Sequence, residues 1–341
     1  MALWIYRVKG MKNLYISPKS IDFRNNLCYF IKTETGIDES EESNMNSLKD
    51  GNYNAVIEKA VSRHLGREFS VKNITVPSTG AMHQTALLDD GTLRVFVKAG
   101  NNSFSADQFR SEAFELEYLS SVAGVRAPKV IDVCFDGDTS LLILEAVKEV
   151  KPETKEDFEK LGQGLAEIHR AHADFCGFEI PTYLGVFKQD NTKKSSWCEF
   201  FAECRIRDTM NMAVRAGKLH AEQCAEIEKL IARIPDICPE PESFSLLHGD
   251  PWLGNLMYDG NGLVAIDCSL YYGNREIDIT TVDFFCPVSQ YFFDAYNEAY
   301  PLEYGFEERR DLWKLNQWLG HVTLFGDRFI PKVMNIVKKY L

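Results

Sequence analysis

One short stretch of the sequence constrains the fold more than any other. Residues 247–255 read LHGDPWLGN, so that Asn255 follows Asp250 by five positions. Asp267 comes twelve residues after Asn255, directly behind the apolar segment LVAI at 263–266. Asp and Asn are common in turns, so the spacing between Asp250 and Asn255 carries little information alone. A second carboxylate at the end of a nearby predicted strand makes a shared catalytic site the better interpretation.

This order and spacing match the catalytic loop of phosphoryl-transfer enzymes. In that template Asp250 accepts the proton of the acceptor hydroxyl, while Asn255 and Asp267 bind Mg²⁺ through hard oxygen atoms. Two upstream residues stand in the required order, because Lys98 ends a predicted strand and Glu112 lies on the next predicted helix, where it can pair with that lysine. The five residues together predict a kinase-like phosphotransferase that uses ATP and Mg²⁺.

The order of predicted elements indicates an α+β, protein-kinase-like fold with two lobes. Strands dominate the first part of the chain and helices the second, an arrangement that leaves a cleft between the two parts. We expect an N-terminal extension at 1–50, a small β-rich lobe at 51–147 that binds ATP, and a larger helical lobe at 148–341 for catalysis and substrate binding.

The local patterns behind this division are periodic apolar residues and turn signals. An Asp-Gly pair at Asp90 predicts a hairpin between strands 85–88 and 93–98. The other predicted elements are helices at 52–65, 109–122 (ended by Pro128), 158–171, 196–215 and 221–234, strands at 129–133, 141–144, 246–247 and 263–266, and a mostly helical remainder from Ile277.

Composition narrows the classes of partner. The formal net charge is −12, which argues against nucleic-acid binding because such a surface repels phosphates. Nine cysteines are scattered without a Cys-x-x-Cys pair, as expected for free thiols in a reducing compartment. No apolar run approaches the roughly 18 residues of a membrane span. The first 32 residues are basic and the next segment acidic, which predicts a targeting or disordered extension. The location is then cytoplasmic or, with a transit peptide, plastidic or mitochondrial.

The loop before the hairpin is the expected phosphate-covering loop. Residues 77–84 read PSTGAMHQ and contain a single glycine, Gly80, which we expect to lie at the nucleotide phosphates. The chain has no Gly-x-Gly-x-x-Gly at this place and no Gly-x4-Gly-Lys-Ser/Thr. P-loop NTPases are therefore excluded.

Several segments together resemble the fructosamine kinase (ketosamine-3-kinase) family, and the tail looks like that of its bacterial and plant-type members. The resemblance covers roughly 52–341 and leaves only the N-terminal extension outside. The segments that carry it are VFVK at 95–98, FRSE at 109–112, LGQGLAEIH at 161–169, HGDPWLGN at 248–255, YYGNREID at 271–278, and the tail from 296 to 326.

The resemblance implies ATP-dependent phosphorylation of the 3-hydroxyl of a sugar joined to an amine by an Amadori linkage. The unstable product releases the amine, so the implied activity is deglycation of glycated proteins or amines. Ribulosamines or erythrulosamines are implied in preference to fructosamines. By resemblance Asp250 is the proton acceptor, Asn255 and Asp267 bind Mg²⁺, and Glu112 holds the phosphate lysine Lys98. The interlobe hinge that carries adenine matches Glu145, Ala146 and Val147.

Three residues are candidates for the substrate side. Trp252 is either a wall for the sugar or a core residue under the loop. Tyr272 and Glu276 contact substrate or serve the structure, and the structural role is the better supported of the two. The chain departs from the family pattern at Cys268 and Asn274, where Pro and His are usual, and also at 285–288 and 320–321. These departures concern sugar specificity more than catalysis.

Two other functions remain open from the sequence. An aminoglycoside- or choline-type kinase shares His-x-Asp-x4-Asn and would phosphorylate a free hydroxylated amine. A catalytically inactive pseudokinase that acts as a binding module would account for the glycine-poor loop and for Cys268 and Cys286.

Overall fold

The computed structural model describes residues 48–77 and 83–341. Most of the predicted N-terminal extension, and the predicted phosphate contact Gly80, lie outside these residues. In the described ranges no helix combines the length and apolar character that a membrane crossing requires.

Residues 48–77 and 83–145 form an antiparallel sheet with two helices. The strands are ordered β1-β2-β3-β5-β4 across this five-stranded sheet. The elements are α1 (Asn54–Leu65), β1 (Asn73–Thr75), β2 (Gln84–Asp89), β3 (Arg94–Gly100), α2 (Ser105–Val122), β4 (Val130–Asp136) and β5 (Thr139–Glu145).

The hairpin between β2 and β3 forms where the Asp-Gly pair predicts it. Gly91 adopts a left-handed φ of 87°, which suits glycine. The carboxylate of Asp90 accepts hydrogen bonds from the backbone N–H groups of Thr92 and Leu93, at 2.8 and 2.7 Å. Strand β3 then places Lys98 opposite Leu142 of β5, in the middle of the sheet.

Helix α2 is longer at its start than the pattern indicates, and it ends for a different reason. It stops at Val122, and Gly124 in the left-handed region turns the chain away. The prediction that Pro128 ends the helix is therefore wrong. The predicted apolar stripe of α2 is confirmed, because its residues Phe109, Ala113, Leu116 and Leu119 are all buried.

The remainder of the chain is mainly helical, with short strand pairs between the helices. Its helices are α3 (Lys155–His169), α4 (Trp197–Phe200), α5 (Asp208–Arg215), α6 (Ala221–Ile237), α7 (Glu276–Val282), α8 (Gln290–Ala299), α9 (Phe306–Trp313), α10 (Leu315–Phe325) and α11 (Ile330–Tyr340). A π-helical turn, Phe201–Arg207, joins α4 to α5. The strands are β6 (His172–Ala173), β7 (Tyr183–Leu184), β8 (Phe187–Lys188), β9 (Phe244–Leu247), β10 (Leu256–Tyr258), β11 (Leu263–Ala265) and β12 (Tyr271–Gly273).

Two hydrophobic clusters organise these elements. One lies between α1 and the outer face of the sheet. The second, larger cluster contains the stripe of α2 and Leu142 and Leu144 of β5, together with the apolar residues of the helical part. Helix α2 therefore packs as part of the helical core, and its residues hold a fixed place relative to the segments between β9 and β12.

Candidate active site

The segment that carries Asp250 leaves a short, fully buried strand. Strand β9 pairs antiparallel with β12, so that Leu247 lies opposite Tyr271. Gly249 then turns with φ 84°, and a Cβ at this position would collide with the carbonyl oxygen of Ser269. The turn thus needs glycine, for conformation and for space.

A buried carboxylate, that of Asp278, holds this turn in place through hydrogen bonds. Asp278 of α7 accepts hydrogen bonds from the backbone N–H groups of His248 (2.7 Å) and Gly249 (3.1 Å). His169 Nε2 lies 3.1 Å from Asp278, and His169 Nδ1 lies 2.8 Å from the hydroxyl of Tyr296. Arg275 donates to the same hydroxyl at 3.0 Å. We call Asp278, His169, Tyr296 and Arg275 the Asp278 anchor.

Asp250 and Asn255 lie side by side, as their spacing predicts. Asn255 Nδ2 donates to the Asp250 side chain at 2.9 Å and to the Asp250 carbonyl oxygen at 3.0 Å. The pKa of Asp250 is raised to about 7, first by burial and then by the charges of Asp267 and Asp278, against hydrogen bonds from Asn255 and Trp252. A carboxylate with this pKa accepts a proton more readily than an ordinary aspartate does.

Three charges from distant parts of the chain meet beside this pair. Lys98 Nζ lies 2.7 Å from Glu112 Oε1 and also pairs with Asp267 Oδ1. Burial lowers the pKa of Lys98, but the two carboxylates outweigh it and hold that pKa above its usual value. The pKa of Glu112 is raised to about 7, mainly by burial and against the Lys98 charge. We call these residues the Lys98 cluster.

Asp267 is the member of the Lys98 cluster with an unusual backbone. Its φ is 50°, and no other non-glycine residue of the described ranges has a positive φ. Such a conformation costs about 1–3 kcal/mol and often occurs at functional sites. The side chain is 46% exposed. A backbone conformation that most residues avoid thus carries an exposed carboxylate that pairs with Lys98.

The donor set of Asn255 and Asp267 fits Mg²⁺. Both hydrogen bonds from Asn255 Nδ2 go to Asp250, and the Oδ1 atom of Asn255 stays outside these bonds. Mg²⁺ keeps several waters and usually takes only one or two protein carboxylates together with phosphate oxygens. The described residues contain no cluster of three or more His, Cys, Asp or Glu side chains able to hold a metal. Asn255 and Asp267 are two oxygen donors of the kind that Mg²⁺ uses together with a nucleotide.

The predicted hinge lies at the end of β5. The backbone N–H of Glu145 donates to Lys129 at 2.8 Å, and its carboxylate pairs with Arg126 at 3.0 Å. Ala146 and Val147 follow the strand and are half-buried. The Glu145 carboxylate is thus held by Arg126 and by the backbone N–H of Lys129.

The three predicted substrate residues occupy different environments. Trp252 is half-buried and meets Phe285 edge to face, with ring centroids 5.7 Å apart. Tyr272 is buried, and its hydroxyl lies 3.0 Å from that of Tyr118. The Glu276 side chain is buried with Arg309, at 2.6 Å. These contacts favour the structural alternative for Tyr272 and Glu276, whereas the half-buried ring of Trp252 lies against Gly254 of its own loop.

Three contacts around the site are not indicated by any sequence motif. Buried Glu115 accepts hydrogen bonds from the backbone N–H of Leu270 (2.7 Å) and from Ser111 (2.8 Å), and burial raises its pKa well above the usual value. Cys268 Sγ lies 3.6 Å from His248 Nε2. The only signal for Glu115 was a charged residue beside the apolar stripe of α2, three positions after Glu112.

Comparison with known proteins shows the family to which the chain is similar. The fructosamine kinase family model matches residues 53–341. A protein-ribulosamine 3-kinase of Arabidopsis thaliana, described as chloroplastic, is 31% identical over 255 residues, which are 72% of this chain and 76% of that protein. A crystal structure from Thermobifida fusca, described as a fructosamine-3-kinase, superposes with a TM-score of 0.73 at 30% identity, over 83% of this chain and 98% of that one.

A more distant structure bears on the fold alone. The aminoglycoside phosphotransferase APH(4)-Ia superposes with a TM-score of 0.54 at 17% identity, over 84% of this chain and 99% of that one. The α+β, protein-kinase-like fold predicted from the sequence is confirmed by these likenesses.

Proposed function

The chain belongs to the fructosamine kinase family, and from this premise we propose that it transfers the γ-phosphoryl group of ATP to the 3-hydroxyl of a ketosamine. The observation that carries the proposal is the Lys98 cluster. It joins a strand of the first sheet to Asp267, 169 positions later in the sequence, beside the Asp250–Asn255 pair. A lysine, a base and two oxygen ligands for a metal thereby meet in one cleft.

In this proposal Asp250 takes the proton of the 3-hydroxyl, and the resulting oxygen attacks the γ-phosphorus while ADP leaves. The pKa of about 7 suits a base that must hold this proton during transfer. Lys98 donates to phosphate oxygens, and Glu112 orients it. Asn255 and Asp267 would hold Mg²⁺, which lowers the cost of the negative charge on the phosphates. The backbone of 145–147 receives the adenine.

The names of the similar proteins are our basis for inferring the acceptor substrate. The names of the similar proteins mention ribulosamine and fructosamine as substrates, and both are ketosamines phosphorylated at position 3. We infer a ribulosamine or erythrulosamine on a protein lysine or a free amine, followed by release of the amine and therefore deglycation. The half-exposed ring of Trp252 supports this choice, because an aromatic face packs well on the C–H surface of a sugar.

The alternatives have weaker support. The aminoglycoside phosphotransferase is only 17% identical to this chain, so the likeness supports the fold and does not indicate the acceptor. A pseudokinase would not need the Lys98–Glu112 pair beside the Asp250–Asn255 pair, and both pairs are formed.

A substrate panel tests the proposal. Phosphate transfer from ATP in the presence of Mg²⁺ is measured with ribulose-lysine, erythrulose-lysine, fructose-lysine, choline and kanamycin. We expect turnover of the ketosamines, fastest with ribulose-lysine or erythrulose-lysine, and release of free lysine afterwards. Turnover of kanamycin or choline alone, or ATP binding without turnover of any ketosamine, would overturn it.

The basic composition of the first 32 residues bears on the compartment. We propose a cytoplasmic protein, or an organellar one in which the first 45 or so residues are removed after import. Mass spectrometry of the mature N-terminus from the native source decides between these, since only import predicts a shortened chain.

A further inference from the structure

A connected group of aromatic rings, most of them half-buried, leads away from the catalytic loop. Trp252 contacts Phe285 at a centroid distance of 5.7 Å, and Phe285 contacts His321 at 5.8 Å. His321 contacts Phe329 and Trp318, each at 5.3 Å. We call Trp252, Phe285, His321, Phe329 and Trp318 the aromatic track.

Part of the surface of the aromatic track is exposed to solvent. Phe285 is 39% exposed, and the other four rings are half-buried. Contiguous aromatic surface of this kind is typical of a binding site, since aromatic residues are enriched where partners dock. The end of the track at Trp252 lies two residues from Asp250, so the surface begins where the acceptor hydroxyl must sit.

The far end of the track is positively charged. Arg328 Cζ lies 5.0 Å from the ring centroid of Phe329, and Lys332 Nζ lies 5.6 Å from that of Trp318. The ammonium group of Lys218 lies 3.9 Å from the position of a Cβ on Gly326, close to Arg328 in sequence. Asp327 is the acidic residue within this segment. Basic side chains thus lie around this end of the track, on a protein whose net charge is −12.

Resting on the proposed function, we propose that the aromatic track docks the polypeptide around a glycated lysine and favours acidic side chains a few residues from it. A ketosamine of a small amine would reach only the Trp252 end. Three centroid steps of less than 6 Å separate Trp252 from Phe329 or Trp318. About five or six extended residues, at about 3.3 Å each, cover that distance and bring a carboxylate to the cations.

The test compares ketosamines with one sugar and different carriers. Hexapeptides with a ribulosylated lysine carry Asp-Glu or Asn-Gln three to five positions away, on either side of the lysine. Each kcat/KM is divided by that of ribulosyl-propylamine with the same enzyme. We expect the acidic peptides to exceed the neutral ones by about 5-fold at low salt, falling toward 1 at about 1 M salt, where screening is short-ranged.

A charge-reversal variant tests whether the preference for acidic peptides depends on the aromatic track. Lys332→Glu should remove the preference for the acidic peptide and create one for a peptide carrying two arginines. Lys338→Glu, at another exposed position of the same helix, changes the net charge by the same amount and should leave the ratio as in the wild type.

The outcomes separate the two proposals. Turnover of ribulosyl-propylamine with equal ratios for acidic and neutral peptides would overturn the docking surface and leave the proposed function intact. Equal effects of Lys332→Glu and Lys338→Glu would also overturn it, because a general charge effect would then explain the preference. Failure of every ketosamine would overturn both.

Discussion

The Asp278 anchor and the Lys98 cluster both use buried carboxylates, but they are built differently. Asp278 is fully buried, and its oxygens are taken by backbone N–H groups of the catalytic loop and by His169. The Lys98 cluster joins three side chains from three separate segments, and Asp267 in it is 46% exposed. One group fixes backbone from inside the core, whereas the other lines a cleft.

This difference indicates which parts of the site are preformed in the absence of a ligand. The Asp278 anchor has no partner that a substrate could replace, so the turn at Gly249 is set by the fold. The Lys98 cluster holds an ammonium between two carboxylates, and phosphate oxygens would compete for that ammonium. Changes in the anchor should therefore affect stability and turnover together, and changes in the cluster should affect nucleotide use alone.

The largest effect is expected where the two groups meet. Asp250→Asn keeps the shape of the side chain and removes the base, so kcat should fall by about 10³-fold. The dissociation constant for ATP should change by less than about 3-fold, because Asp250 faces the acceptor. Steady-state kinetics and nucleotide titration by calorimetry measure both. A variant that retains more than a tenth of the wild-type kcat would contradict the role of Asp250.

The next effect isolates the Lys98 cluster. Lys98→Met should lower kcat/KM for ATP by about 10²-fold, because it removes a donor to the phosphates. The free energy of unfolding should change by less than about 1 kcal/mol, since burying Lys98 has its own cost and Glu112, with a pKa of about 7, can take a proton.

A matched control for this variant is Lys72→Met, an exposed lysine before β1. It should leave both quantities unchanged. A loss of several kcal/mol in Lys98→Met would show that the Lys98 cluster is also a structural anchor, and the distinction drawn above would fail.

The same contrast explains which features of the structure could be predicted from the sequence. The hairpin at Asp90, the stripe of α2 and the neighbouring positions of Asp250 and Asn255 follow from local period and spacing, and all of them form. The chemistry of kinases also predicts the meeting of Lys98 with Glu112, because both residue types are needed there.

The remaining contacts depend on tertiary structure. The carboxylate of Glu115 meets the backbone of Leu270, 155 positions away, and a backbone donor leaves no mark in the sequence. The bonds from His248 and Gly249 to Asp278 are hidden for the same reason. Pro128 was a plausible stop for α2, but Gly124 comes first and needs only a left-handed turn. The roles of Gly80 and of the first 47 residues stay predictions.

A smaller effect on activity, joined to one on stability, is expected in the Asp278 anchor. Asp278→Asn can accept the bond from His248 through Oδ1, but its amide then faces the N–H of Gly249, donor against donor. The free energy of unfolding should fall by about 2–3 kcal/mol, and kcat by about 10-fold, because the turn shifts. Asp294→Asn, an exposed carboxylate on α8, is the control. Loss of activity at unchanged stability would contradict the anchor.

The smallest effect concerns the pH dependence of stability. Burial lowers the pKa of His169 and of His248, against the opposing charge of Asp278, so the fold keeps both rings neutral. The unfolded chain binds these protons at its ordinary pKa of about 6.5, so stability is complete above that pH and is lost as the pH falls below it. Each group contributes at most about 1.4 kcal/mol per pH unit. Urea unfolding of His169→Gln should give a shallower slope than the wild type between pH 6.5 and 5 and a constant difference from it above pH 7.5. Parallel curves over the whole range would show that burial does not lower the pKa of His169, and that the interior of the Asp278 anchor is open to water as the side chain of Asp267 is.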